Sequence, residues 1–197
     1  MPRPIVFVGD SITEGWGEAQ PGLFARHGFV NRGIGGEASG RIRARFRDEI
    51  LAAGARGVHL MCGINDIAEV EGPVPLPRIQ ENIAAMVAEG RRLGLPVWLG
   101  SITPATAIAW NPEVSPRPSI AALNRWLREH AAGAGARFID YHAVLATEEG
   151  ALRPGFGSDG VHLTPEGYRA MEAILLAALG AHGAASGASC PPAGRDR

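Results

Sequence analysis

The chain has 197 residues, of which 46% are hydrophobic and 20% charged, with a formal net charge of -1, the profile of one soluble globular domain with a sizeable core. All 19 basic residues are arginine, so the lysine Schiff base, the Gly-Lys-Ser/Thr phosphate loop and the Ser-Lys catalytic pair are excluded. The near-neutral balance argues against nucleic acid as a partner.

In chain order, Pro4 to Val8 is a short apolar run ending at Gly9-Asp10-Ser11, expected to be a buried strand and far too short for a signal peptide. Gly28 to Asn31 is a weaker strand candidate, followed by the glycine-rich Gly33 to Gly36. Ile42, Phe46, Ile50 and Leu51 keep helical spacing. On that helix Arg41, Arg43, Arg45 and Arg47 form a solvated face, with Arg45 and Glu49 an ordinary surface pair four residues apart. Gly57 to Met61 is the third strand. Ile79, Ile83, Met86 and Val87 mark a second helix, Leu95 to Leu99 a fourth strand, and Ile120, Leu123, Leu127 and Ala131 a third helix. Between them, Thr103 to Pro118 carries four prolines and Trp110, a connection long enough to line a site. Ala136 to Ile139 is the last strand. The final helix opens with Thr164 as N-cap and Pro165 at its first position, and Gly180 is expected to stop it. Residues 1–180 then form the domain, and Ala181 to Arg197 a tail expected to be disordered.

Strands alternating with helices imply a three-layer α/β/α sandwich around a parallel sheet of about five strands. Ligands bind such sheets beyond the carboxyl ends of the strands, which directs attention to Gly9 to Ser11, Gly33 to Glu37, Gly63 to Asp66 and Ser101 to Pro104. Gly33-x-Gly35-x-x-Ala38 satisfies the dinucleotide pattern but comes after the second strand and lacks an acidic residue about twenty positions on. A tight turn presenting N–H groups to a small ligand is the better functional reading.

A lone serine at position 11 is more often a helix N-cap. Asp159 lies three residues before His162, however, so one turn could aim the carboxylate at the ring and leave the other nitrogen for Ser11. The backbone N–H groups of Ser11 and Gly36 and the Asn65 side-chain amide are candidate oxyanion donors, although Asn65 could equally cap a turn with Asp66. His59 and Cys62 fall on opposite strand faces and the remaining histidines are solitary, so neither a metal nor a cofactor is implied. Asp10, Trp16 and Trp110 are candidate substrate-binding residues, with ordinary packing of one or both tryptophans equally open.

Gly9-Asp10-Ser11-Ile12, Gly36 within Asn31 to Gly36, Gly63-Ile64-Asn65-Asp66 and Asp159-Gly160-Val161-His162 together resemble the four blocks of the SGNH hydrolases, the GDSL esterase/lipase family, across residues 5 to 180. Ile12 stands where the family name has leucine. The Gly-x-Ser-x-Gly elbow of α/β-hydrolases is absent, since Thr13 replaces its second glycine. The resemblance implies a flavodoxin-like sheet in the order 2-1-3-4-5, Ser11 as nucleophile, His162 as general base, Asp159 as its orienting acid, and Ser11, Gly36 and Asn65 as the oxyanion hole. It looks most like the small, intracellular acetylhydrolase-like branch. The expectation is a cytoplasmic serine esterase acting on a small-molecule ester with a small acyl group such as acetyl. A thioesterase or lysophospholipase with the same triad, or a non-catalytic carbohydrate- or lipid-binding domain, is the alternative.

Overall fold

The computed structural model describes residues 3–186. Its five strands are β1 (Ile5–Gly9), β2 (Phe29–Gly33), β3 (Gly57–Met61), β4 (Val97–Gly100) and β5 (Arg137–Ile139), all parallel and ordered β2-β1-β3-β4-β5. Four start later than their runs suggest, β2 and β5 by a single residue and β1 and β4 just after a proline. Pro4 and Pro96 have no N–H to donate to a ladder, and each offers only its carbonyl, to Arg56 and Val58 respectively.

Alternation along the strands divides the core into two layers. Val6 and Val8 of β1, Val58 and Leu60 of β3, and Val97 and Leu99 of β4 face one side. There they meet α3 (Ser39–Ala52), α4 (Ile64–Ile67), α5 (Leu76–Arg92) and α6 (Pro116–Gly133). Ile5 and Phe7, Met61 and Trp98 face the other, against α1 (Ser11–Ala19), α2 (Pro21–His27), α7 (Tyr141–Leu145) and α8 (Pro165–Ser186). His59 stacks on Phe7 within this second layer while Cys62 packs in the first, as their odd spacing requires. Burial pushes the His59 ring down to about 3, so it sits neutral beside the Tyr141 hydroxyl.

Thr164 precedes α8 and its hydroxyl accepts from the Gly167 N–H, but Gly180 does not end the helix, which continues to Ser186. A glycine costs a helix only about 1 kcal/mol, too little to stop one already several turns long. The expectation of a disordered tail fails for residues 181–186, and residues 187–197 lie outside the described residues. Among the described residues no helix is long and apolar enough to cross a membrane.

Candidate active site

The carboxyl ends of β1, β2 and β3 lie side by side, with Gly9 paired to both Gly33 and Met61. The segments leaving these three strands are thereby brought together. After β1, the Asp10 carboxylate accepts the Ile12 N–H at 3.0 Å and caps α1, which leaves the Ser11 hydroxyl free of capping. After β2, the chain passes over the first turn of α1. A Cβ on Gly33 would fall 2.1 Å from the Glu14 backbone nitrogen, so only glycine permits this approach. Gly36 has φ +77°, a left-handed conformation that glycine adopts without strain. The Glu14 carboxylate accepts the Gly35 N–H at 2.9 Å, and the Asn31 side chain bridges the Thr13 carbonyl and the Gly33 N–H.

Ser11 Oγ lies 3.0 Å from His162 Nε2, and His162 Nδ1 lies 2.6 Å from an Asp159 oxygen. The other Asp159 oxygen accepts the backbone N–H groups of Val161 and His162. That local turn fixes the carboxylate before α8 begins. Burial pushes the Asp159 carboxyl up, but the bonds from the His162 ring and from these two N–H groups outweigh it and hold the group below the usual carboxylate range. An ionised Asp159 selects the neutral imidazole tautomer with hydrogen on Nδ1, so Nε2 is the acceptor facing the serine.

After β3, Asn65 is buried at the start of α4, and its Nδ2 donates to the Glu37 carbonyl at 3.0 Å. An amide nitrogen has two hydrogens, so one remains. Ser11, Gly36, Asn65, Trp110 and His162 line one cleft of about 550 Å³, together with Ala68, Glu69 and Val70. A second cleft, of about 500 Å³, meets it at Ser11 and His162 and is lined by Glu14, Gly15, Glu18 and Tyr168. The arrangement places a serine hydroxyl, a base, an acid behind the base and hydrogen-bond donors around one point, the set that acyl transfer requires.

Trp110, 46% exposed, stands over the site with its ring centroid 5.8 Å from that of His162. Two other expectations need correction. Trp16 is fully buried: with Ile12 it occupies the core face of α1, packed edge-on to Phe7 and Tyr141, and its Nε1 donates to Gln20. It does not contact the clefts. Asp10 is 1% exposed and turned inward as the cap of α1, so it supports the serine from behind and does not bind substrate.

Burial also pushes the Asp10 carboxyl up to about 7 from the ordinary 3.8. The folded chain therefore holds a proton that the unfolded chain has released between about pH 4 and 7, and stability falls as pH rises through that window. Asp10→Asn keeps the oxygen that caps Ile12 and removes the titration. Denaturant unfolding at pH 5 and pH 8 should show the variant gaining stability relative to the unsubstituted protein at the higher pH, whereas an equal difference at both would contradict the assignment.

Other residues support the site through contacts that only the folded chain brings together. Asp66 accepts both the N–H and the hydroxyl of Ser39, at 2.8 and 2.6 Å, and Asn82 donates to the same hydroxyl. Burial raises the Asp66 carboxyl above its ordinary value. Arg45 is not on the solvated face where its spacing puts it. Its side chain is 16% exposed and turned toward the site, with Glu37 at 2.7 Å and the expected partner Glu49 at 3.9 Å.

The family model for the GDSL-like lipase/acylhydrolase family matches residues 7–170. Among solved structures the chain is similar to a GDSL-like lipase from Bacteroides thetaiotaomicron, with 33% identity and a TM-score of 0.86 over 91% of this chain and 89% of that one. It shares its fold with a catalytic mutant of an acetylxylan esterase from Geobacillus stearothermophilus, at 21% identity and a TM-score of 0.71 over 90% and 94% of the two chains. Among curated proteins it is 25% identical over 176 residues to the uncharacterized lipoprotein YqeF of Bacillus subtilis, covering 72% of this chain and 69% of that one.

Proposed function

This chain belongs to the GDSL-like lipase/acylhydrolase family and is a carboxylic ester hydrolase, and from that premise we propose that it is a serine esterase that removes small acyl groups, acetyl in particular, through an acyl-enzyme. The observation that carries this reading is the hydrogen-bonded line from Ser11 Oγ through the His162 ring to Asp159, opening on the cleft that also holds Gly36 and Asn65.

In this reading Ser11 Oγ attacks the ester carbonyl carbon as its proton passes to His162 Nε2. The carbonyl oxygen takes the negative charge and is held by the N–H groups of Ser11 and Gly36 and the second Asn65 amide hydrogen. The tetrahedral adduct collapses, the bond to the alcohol oxygen breaks, and His162 returns its proton to that oxygen. Water then attacks the acyl-serine, giving its proton to His162, and Ser11 leaves with that proton as the carboxylic acid is released.

Two features of the clefts support the substrate class. The apolar lining is short, with Ala68, Val70 and Trp110, enough to cover an acetyl or propionyl group. Glu14, Glu18 and Glu69 line the clefts and, among the described residues, no arginine does, so a phosphate-bearing thiol or lysophospholipid meets like charge where it needs a counter-ion. A neutral alcohol such as a sugar hydroxyl suits this lining better, and the related fold is one on which an acetylxylan esterase is built.

In a series of p-nitrophenyl esters, kcat/KM should fall by roughly tenfold or more between acetate and octanoate. An acetate ester of an anionic alcohol should be slower than its neutral isostere, by a margin that shrinks with added salt. A maximum on long chains, or a preference for the anionic alcohol, would overturn the small-acyl reading. A cytoplasmic location belongs to the same proposal, supported by the buried free thiol of Cys62. The Bacillus subtilis relative is named a lipoprotein, and recovery in the membrane fraction of its native cell would contradict the proposal.

A further inference from the structure

We propose that Arg45 is a positioning residue for the oxyanion donors, tying the backbone segments that carry them to a single guanidinium. The inference rests on the esterase reading. Arg45 lies mid-way along α3, and its neighbours at the same sequence spacing do what a solvated face does: Arg41 pairs with Glu71, and Arg47 with Glu89. Arg43 donates to the Asn82 side chain, whereas Arg45 turns toward the carboxyl ends of β1 and β2.

Its three nitrogens reach three different segments. Nη2 donates to the Gly9 carbonyl at 3.0 Å, Nη1 to the Arg32 carbonyl at 2.8 Å, and Nε to the Glu37 carboxylate at 2.7 Å. Gly9 is two residues before Ser11, Arg32 leads into the glycine turn, and Glu37 is the residue after Gly36. The Glu37 carbonyl in turn accepts the Asn65 amide. Each of the three proposed donors is therefore within two residues, or one further hydrogen bond, of the same guanidinium. The Gly9 carbonyl also accepts the Ile34 N–H at 3.1 Å, which closes the glycine turn onto β1 beside the Arg45 contact.

A planar guanidinium can make three such bonds in fixed directions, and an ammonium cannot reproduce the fork. Charge adds a second effect. The Glu37 side chain is 17% exposed and paired with Arg45, so removing the cation leaves a poorly solvated carboxylate one residue from Gly36, where negative charge develops in the reaction. Losing Arg45 should thus cost transition-state stabilisation twice, through donor placement and through repulsion, while the residues that hold the ground-state ester stay where they are.

The test is steady-state kinetics on p-nitrophenyl acetate for Arg45→Met, with inhibition by a trifluoromethyl ketone, whose adduct with serine carries an oxyanion. A misplacement of donors by about 1 Å should lower kcat on the order of 10- to 100-fold, leave KM within about threefold, and weaken the ketone by the same factor as kcat. The double variant Arg45→Met/Glu37→Gln should recover part of the loss, which a purely structural role would not produce. Should Arg45→Met fail to fold, Arg45→Lys is measured in the same way, with a smaller fall in kcat and again an unchanged KM. A folded variant with unchanged kcat, or one whose loss appears in KM with ketone affinity intact, overturns the proposal. Failure of the unsubstituted protein to hydrolyse any ester would instead refute the esterase reading itself.

Discussion

Ser11→Ala should fold like the unsubstituted protein and hydrolyse p-nitrophenyl acetate on the order of 10⁴-fold or more slowly. Both halves of this expectation come from the same local geometry. The capping of α1 is done by the Asp10 carboxylate, which accepts the Ile12 N–H, so the helix keeps its cap when the hydroxyl is gone. Among the described residues the Ser11 side chain hydrogen-bonds to His162, and it sits at the junction of the two clefts. Its loss should shift unfolding by no more than about 0.5 kcal/mol, the usual range for a substitution away from core and caps. Thermal melting together with kcat checks both. An active folded variant would mean that another group attacks the carbonyl.

The second large effect is expected at Asn65. Asn65→Ala should lower kcat by roughly 10² to 10³, the cost of one oxyanion donor, with a much smaller change in KM. Sequence leaves open that Asn65 merely caps its own turn. In the structure Gly63 stands at the cap of α4 with no side-chain cap bond, and the Asn65 amide instead crosses to the Glu37 carbonyl. That bond orients the amide and leaves its second hydrogen for the cleft. A loss below tenfold would reduce Asn65 to a tether for the glycine turn.

The strands were legible wherever both faces are buried, since β1 and β3 are apolar runs with every residue buried. Edge strand β2 gave a weaker signal because four of its five residues are only partly buried, and its polar Asn31 and Arg32 serve the site instead of the core. Trp16 shows where proximity in sequence misleads. In α1, Ile12 and Trp16 share the core face, whereas Ser11, Glu14, Gly15 and Glu18 share the cleft face, at spacings of three, four and seven. Gly15 and Gly17 weaken the helical pattern that would have revealed this. Both are close-approach positions, where a Cβ would fall 2.6 Å from the Tyr168 hydroxyl and 2.4 Å from the Asn31 amide. Asp159 and His162 were legible because three residues of one turn set their geometry. Arg45 was not, because its partners come from β1, β2 and the turn after β2, and only the folded sheet brings them to one helix face.

Ser11, activated by His162 and Asp159, should form the covalent intermediate. Intact-mass analysis after reaction with an alkyl fluorophosphonate tests it most directly. One adduct per chain, mapped to the peptide containing Ser11 and lost in both Ser11→Ala and His162→Ala, is the predicted result. Ester hydrolysis without any adduct, or with the adduct on a different residue, would contradict it.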